Sequence, residues 1–207
     1  MDRDTARILF YLGEFVLVFG IVVVLFLFRR KGRNRLAASW QAFALRRGFS
    51  FTREKPLDVM TLAGTFEGVP VTIRLVRTGT RGLASDPVFE APLSVFWPEG
   101  LEVHSRRCGW PYAYHAPRTG DPEVEKHMVF RAPDPRAVPW LLANPAVREA
   151  LLVFFAGEGK TRRIVRARGA SIQERPMVSD PALLTAQLEA LAAFVRAVNA
   201  AGAPDRR

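Results

Sequence analysis

The sequence predicts an α+β fold: an antiparallel sheet with about three to four helices, preceded by one N-terminal transmembrane helix. Two observations lead there. Apolar stretches with strand periodicity and stretches with helical periodicity follow one another without regular alternation. Ahead of them all, Ile8 to Phe28 reads ILFYLGEFVLVFGIVVVLFLF, with Glu14 its one ionisable group. The chain has 207 residues, 49% of them hydrophobic, enough for one core and too apolar for a disordered chain.

The stretch 8–28 would reach roughly 31 Å as a helix, about the thickness of a bilayer's hydrocarbon core. It is apolar on all sides, unlike the helix of a water-facing surface. The leader, residues 1–7, is charge-balanced, and the run ends in Arg-Arg-Lys rather than in small residues. It therefore reads as an anchor that is kept, not as a cleaved signal peptide. Glu14 lies near one end of the run. It either contacts a partner helix or reaches the headgroups.

The formal charge of +10 is concentrated. Arg29, Arg30, Lys31, Arg33, Arg35, Arg46, Arg47 and Arg53 are the charged residues of 29–53, and no acid offsets them. Five of them form a basic juxtamembrane segment, 29–35, that would set topology and meet anionic lipid headgroups. The positive-inside bias then puts the N-terminus outside and residues 36–202 in the cytoplasm as one domain. The expected location is a membrane, spanned once, with the domain on its cytoplasmic side. A single cysteine, Cys108, excludes an internal disulfide framework and agrees with a reducing compartment.

The elements follow in order. Asn34 to Arg47 has Leu36, Trp40, Phe43 and Ala44 at helical spacing, with Gly48 as a stop. It would either lie on lipid or open the domain with Trp40 and Phe43 in the core. Phe49-Ser50-Phe51 begins extended structure. Val59 to Phe66 and Val69 to Val76 flank Glu67-Gly68 as a hairpin. Thr78 to Pro87 reads as a loop, and Val88 to Trp97, Leu101 to Arg106 and Val124 to Arg131 read as strands, Pro92 implying an edge or a bulge. Residues 106–122 form a long loop rich in glycine and proline. Asp134-Pro135 opens a short helix that Pro139 confines. Asn144-Pro145 and Asp180-Pro181 each place a cap before a proline at a helix start. Between those helices, Thr161 to Arg168 and Ala170 to Glu174 form a second hairpin around Gly169. Residues 203–207 are an expected disordered tail.

Chemistry is sparsely signalled. There is no phosphate-binding glycine loop, nucleophile elbow, paired-cysteine motif or metalloprotease helix, and no cofactor is expected. His104, Cys108, His115 and His127 have spacings that fit no zinc motif. Arg162, Arg166 and Arg168 would share one strand face with Ile164 as an anion patch. No aromatic residue alternates with them, as stacking on nucleic acid would require. Trp97, Trp110, Tyr112 and Tyr114 surround the long loop and would either line a pocket or close one end of the sheet.

Several turn and core patterns occur together. They are Trp40-x-x-Phe43-Ala44-x-x-x-Gly48-Phe49, Leu62-x-Gly64-x-Phe66-x-Gly68, Thr119-Gly120-Asp121-Pro122, Asp134-Pro135 with Leu141-Leu142, and Val147-Arg148-x-x-Leu151. Over residues 36–200 the chain thereby resembles a family of uncharacterised membrane-anchored proteins of high-GC bacteria. The resemblance implies a shared fold and carries no catalytic residue. The expected function is that of a single-span membrane protein whose cytoplasmic domain binds a protein partner or a ligand. An enzyme working at the membrane surface through loop 106–122, and a membrane-tethered nucleic-acid-binding domain, are the rival readings. Absent motifs disfavour the first, and the placement of the charge beside the span disfavours the second.

Overall fold

A computed structural model describes residues 3–54, 59–78, 84–106, 118–157, 161–174 and 180–202. The chain is α+β. Its described residues form the helices α1 (Arg3–Arg47), α2 (Pro122–His127), α3 (Ala137–Leu142), α4 (Pro145–Ala156) and α5 (Pro181–Ala201). The strands are β1 (Ser50–Glu54), β2 (Val59–Phe66), β3 (Val69–Thr78), β4 (Ala84–Ala91), β5 (Glu102–Ser105), β6 (Met128–Arg131), β7 (Arg162–Arg166) and β8 (Gly169–Gln173). They make one antiparallel sheet in the order β1-β2-β3-β4-β8-β7-β5-β6.

Strand register divides the sheet into two chemically distinct faces. Phe51, Leu62, Ile73, Phe89, Ile172 and Arg163 stand side by side across six strands. Five of the six are apolar, and the row lies on the helix-covered face. α5 crosses β2, β3, β4 and β8 there, α4 packs on α5, and the end of α1 packs on β1 and β2. One residue along, Thr72, Glu90, Ser171, Ile164, His104 and Val129 form the corresponding row on the opposite face. That face is mostly polar.

Local chemistry sets the element ends. Glu67 and Gly68 both have positive φ, 47° and 81°, as a tight two-residue hairpin turn requires, so β2 and β3 pair as expected. Asn144 and Asp180 accept hydrogen bonds from the first turns of α4 and α5, each with proline in that turn. The second hairpin also forms, its turn falling at Ala167-Arg168.

Four expectations need correction. The apolar stretch, the basic segment and the amphipathic helix are not separate pieces but parts of one unbroken helix, α1, because nothing between Phe28 and Asn34 breaks a helix except Gly32, which is tolerated. The described residues hold five helices, but not the set expected: the helix predicted at Asn34 to Arg47 is part of α1, and the sequence predicts no helix at α2. Val124 to Arg131 is not a strand throughout. Asp121 caps α2, and the strand begins only at Met128. β4 starts at Ala84, within the expected loop, and stops at Ala91, because Pro92 has no N–H to continue the ladder.

Among the described residues, the helix that is both long and apolar enough to cross a membrane is α5, near the C-terminus. Its apolarity has another cause. Leu184, Leu188, Leu191, Phe194, Val195 and Val198 are buried against the sheet and α4. The described apolar portion of α1, Glu14–Val24, is shorter, and its side chains lie open: Phe15 is 70% exposed and Leu17 63%. Towards the end of the same helix the pattern reverses. Leu36, Trp40, Phe43 and Ala44 are buried, so this portion opens the domain and its apolar face is not available to lipid.

Candidate functional site

The candidate site is a charged cluster on the face of the sheet opposite the helices, where β5 runs between β6 and β7. A period of two places Glu102 and His104 on the same side of β5. Pairing puts Glu102 opposite Arg131 and His104 opposite both Val129 and Ile164. Glu102 is the hub. Its Oε1 forms an ion pair with Arg166 Nε at 3.0 Å, its Oε2 accepts from His104 Nε2 at 2.9 Å, and Arg131 Nη1 lies 3.9 Å from Oε2.

The electrostatics follow from burial and these partners. Burial works to raise the Glu102 pKa. The His104 hydrogen bond and the fields of Arg166, His104 and Arg131 outweigh it and hold the carboxyl below its usual range. His104 is 2% exposed. Burial pushes its imidazole below the ordinary value, more strongly than Glu102 raises it. The pair is thus a carboxylate and a neutral imidazole whose Nε2–H donates. Both oxygens of Glu102 are engaged, so the cluster holds strands together and orients two exposed guanidinium groups, Arg131 and Arg166. Arg162 and Arg166 lie on this same face by parity, and Arg168 lies in the β7–β8 turn.

A second polar group sits inside the domain, and the sequence reading passed over it. Arg163 is 8% exposed at the end of the apolar cross-strand row. Its Nη1 donates to the carbonyl of Phe154, one of the last four carbonyls of α4, which lack a partner within the helix. Its guanidinium stacks on the Phe154 ring. Gly157 makes room: a Cβ there would collide with the guanidinium. Glu174, also buried, accepts from Gln187 Nε2 at 2.9 Å. Burial raises the Glu174 pKa, opposed by Arg163, and burial lowers that of Arg163, opposed by Glu174. Arg163 Nε and Gln187 Oε1 have no partner among the described residues. Strand parity was the available signal, since Arg163 shares its face of β7 with inward-facing Val165.

On α1, Lys31 and Arg35 are exposed and Arg33 is half-buried, and the side chains of Arg29 and Arg30 lie outside the described residues. Leu27, Lys31, Asn34, Arg35 and Ala38 line a shallow, open groove along one side of α1. Arg53 Nη2 of β1 donates to Asn34 Oδ1 at 3.2 Å, so a further cation stands at its side.

Other sequence candidates are not brought together. His104 is buried on β5 and His127 ends α2, while Cys108 and His115 lie outside the described residues. Among the described residues no group of three or more His, Cys, Asp or Glu could hold a metal ion. Trp97 is buried, and its Nε1 donates to the Leu101 carbonyl at 3.0 Å, closing the turn before β5. Trp110, Tyr112, Tyr114 and most of loop 106–122 fall outside the described residues. The Thr119-Gly120-Asp121-Pro122 pattern is structural. Glu125 accepts from the N–H groups of Thr119 and Gly120, and Asp121 both caps α2 and binds Arg148 of α4 at 2.7 Å.

No family model matches this sequence, and no curated protein matches it. Among solved structures, the fold is similar to the crystal structure of the mycobacterial trehalose monomycolate transport factor A, TtfA. The TM-score is 0.51 at 14% identity, covering 83% of this chain and 98% of that one. At that identity the likeness concerns the fold.

Proposed function

We propose that this chain is a single-span protein of a bacterial inner membrane, anchored by residues 8–28. Its N-terminus is outside, and its cytoplasmic α+β domain binds a protein partner or ligand as an accessory to transport. The observation that carries the reading is the contrast along α1. One end is buried in the domain, while the Phe15–Val24 stretch exposes its large apolar side chains on every side. Exposure of that much contiguous apolar surface to water is costly, about 25 cal/mol for each Å². Lipid removes the cost. The cations that follow it, with no acid up to Arg53, favour the cytoplasmic side for the domain.

An accessory role is supported by two things. The neighbour in fold is named as a transport factor. The carboxylate of the Glu102 cluster has one oxygen bound by His104 and the other ion-paired with Arg166, which suits bracing rather than proton transfer.

The test is a pair of reporter fusions after Arg207, with carbonate extraction of the membranes. The expected result is a chain that stays in the membrane pellet, an active cytoplasmic reporter and a silent periplasmic one. Release by carbonate would overturn the anchor, and the opposite reporter pattern would overturn the topology.

A further inference from the structure

We propose that the groove on α1 lined by Leu27, Lys31, Asn34, Arg35 and Ala38 is a binding site for one anionic phospholipid of the adjoining leaflet. The inference rests on the membrane-anchored reading above and adds to it a defined site with a defined ligand class.

The groove is a consequence of helix geometry. At about 100° per residue its five lining residues fall within an arc of about 100°, on the side of α1 away from Leu36, Trp40 and Phe43. Those three are buried in the domain. Packing of the domain therefore fixes the rotation of the helix and keeps Lys31 and Arg35 turned outward. Along the axis the lining changes character. Leu27 belongs to the last turn of the apolar run, Lys31 and Arg35 follow one and two turns later, and Ala38 closes the far end with a small apolar side chain.

This order matches a phospholipid lying beside the helix: an acyl chain along Leu27, then a phosphate between Lys31 and Arg35. Asn34 adds a polar group. Its Oδ1 accepts from Arg53, so its amide N–H₂ is left to donate to the ligand, and Arg53 brings another positive charge close by. No acid occurs between residues 29 and 53, so nothing in this segment repels a phosphate. A zwitterionic headgroup carries a compensating cation that three positive side chains would oppose. Charge complementarity therefore selects an anionic lipid.

The full chain in detergent would be examined by native mass spectrometry with phosphatidylglycerol or phosphatidylcholine of the same acyl chains. The expected result is a retained phosphatidylglycerol adduct under conditions that strip phosphatidylcholine. Lys31→Gln with Arg35→Gln should weaken retention about twenty-five-fold, since each cation near an anionic surface contributes about a fivefold factor. Arg46→Gln with Arg47→Gln removes the same charge from the same helix and should leave retention unchanged. Unaltered retention in the first double variant, or equal loss in both, would overturn the site. Displacement by excess inorganic phosphate would show a free-anion site instead, and would also overturn it. Flotation with neutral liposomes reads the anchor separately. A wild-type chain that floats but holds no anionic lipid refutes the site alone, and one that does not float refutes the anchor and the site together.

Discussion

The guanidinium of Arg163 lies over the ring of Phe154, 5.1 Å from its centroid, and donates to the carbonyl of the same residue. One side chain thus joins β7 to the end of α4 in two ways. Removing it leaves the Phe154 carbonyl without this donor and Glu174 without a nearby positive charge. Arg163→Met, which keeps much of the volume, should destabilise the full chain by about 3 kcal/mol. Urea unfolding in detergent micelles, followed by tryptophan emission, measures this. A loss below about 1 kcal/mol would mean that the cation adds little beyond its volume.

Gly157 and Arg163 should be energetically coupled. A methyl group at 157 would occupy the space of the guanidinium, so Gly157→Ala should cost about 1–2 kcal/mol by forcing Arg163 from its place. In the Arg163→Met background the same substitution should cost much less. A double-mutant cycle reads the difference, and strictly additive losses would refute the coupling.

Acid should weaken the fold in two stages. His104 has a folded pKa below its ordinary value of 6.5, so the unfolded chain takes up the proton first. Stability from this group is full well above that value and is lost as pH falls through it towards the folded pKa. Glu102 is also held below its ordinary 4.5, so its contribution is present above that value and is lost as pH falls through the lower folded pKa. His104→Gln should flatten the stability profile where pH falls below about 6.5 and leave the more acidic stage. Melting temperatures across that range would decide, and an unchanged slope in the variant would assign the upper stage elsewhere.

Trp40 is fully buried where α1 meets the domain. Trp40→Ala should cost about 3–5 kcal/mol by opening a cavity that the surrounding residues only partly fill. Because the residue also fixes α1 to the sheet, limited proteolysis of the variant should expose new sites around residues 36–48. A variant as stable and as protease-resistant as the wild type would contradict the packing of Trp40 between α1 and the sheet.

Features decided by adjacent residues were readable in the sequence. The turn at Glu67-Gly68 needs left-handed backbone, and glycine supplies it most easily. Asn144-Pro145 and Asp180-Pro181 declare helix starts through side-chain chemistry alone. The arrangement of the sheet was not readable, because β4 takes as its neighbour β8, some eighty residues on, and β5 inserts between β6 and β7. Glu102 becomes a hub only once that order brings Arg166 and His104 to it. Arg163 was missed for a related reason. Among arginines on a short strand, composition cannot tell which one faces inward, whereas its pairing with Ile172 does. The helical start of the segment from Pro122 was overridden by its β-favouring residues Val129 and Phe130, which belong to the next element.

α1 has no joint between the exposed apolar stretch and Trp40. A mast of this kind transmits bearing as well as height. Each residue inserted between Leu27 and Leu36 would swing the domain by about 100° about the helix axis and lift it by about 1.5 Å. Eighteen residues would restore the original heading after five full turns, and three or four would nearly restore it after one. If the proposed anchor holds and a partner beside it reads one side of the domain, activity should vary with insert length in a helical rhythm rather than decline steadily. A flexible glycine-serine insert of equal length would abolish that rhythm.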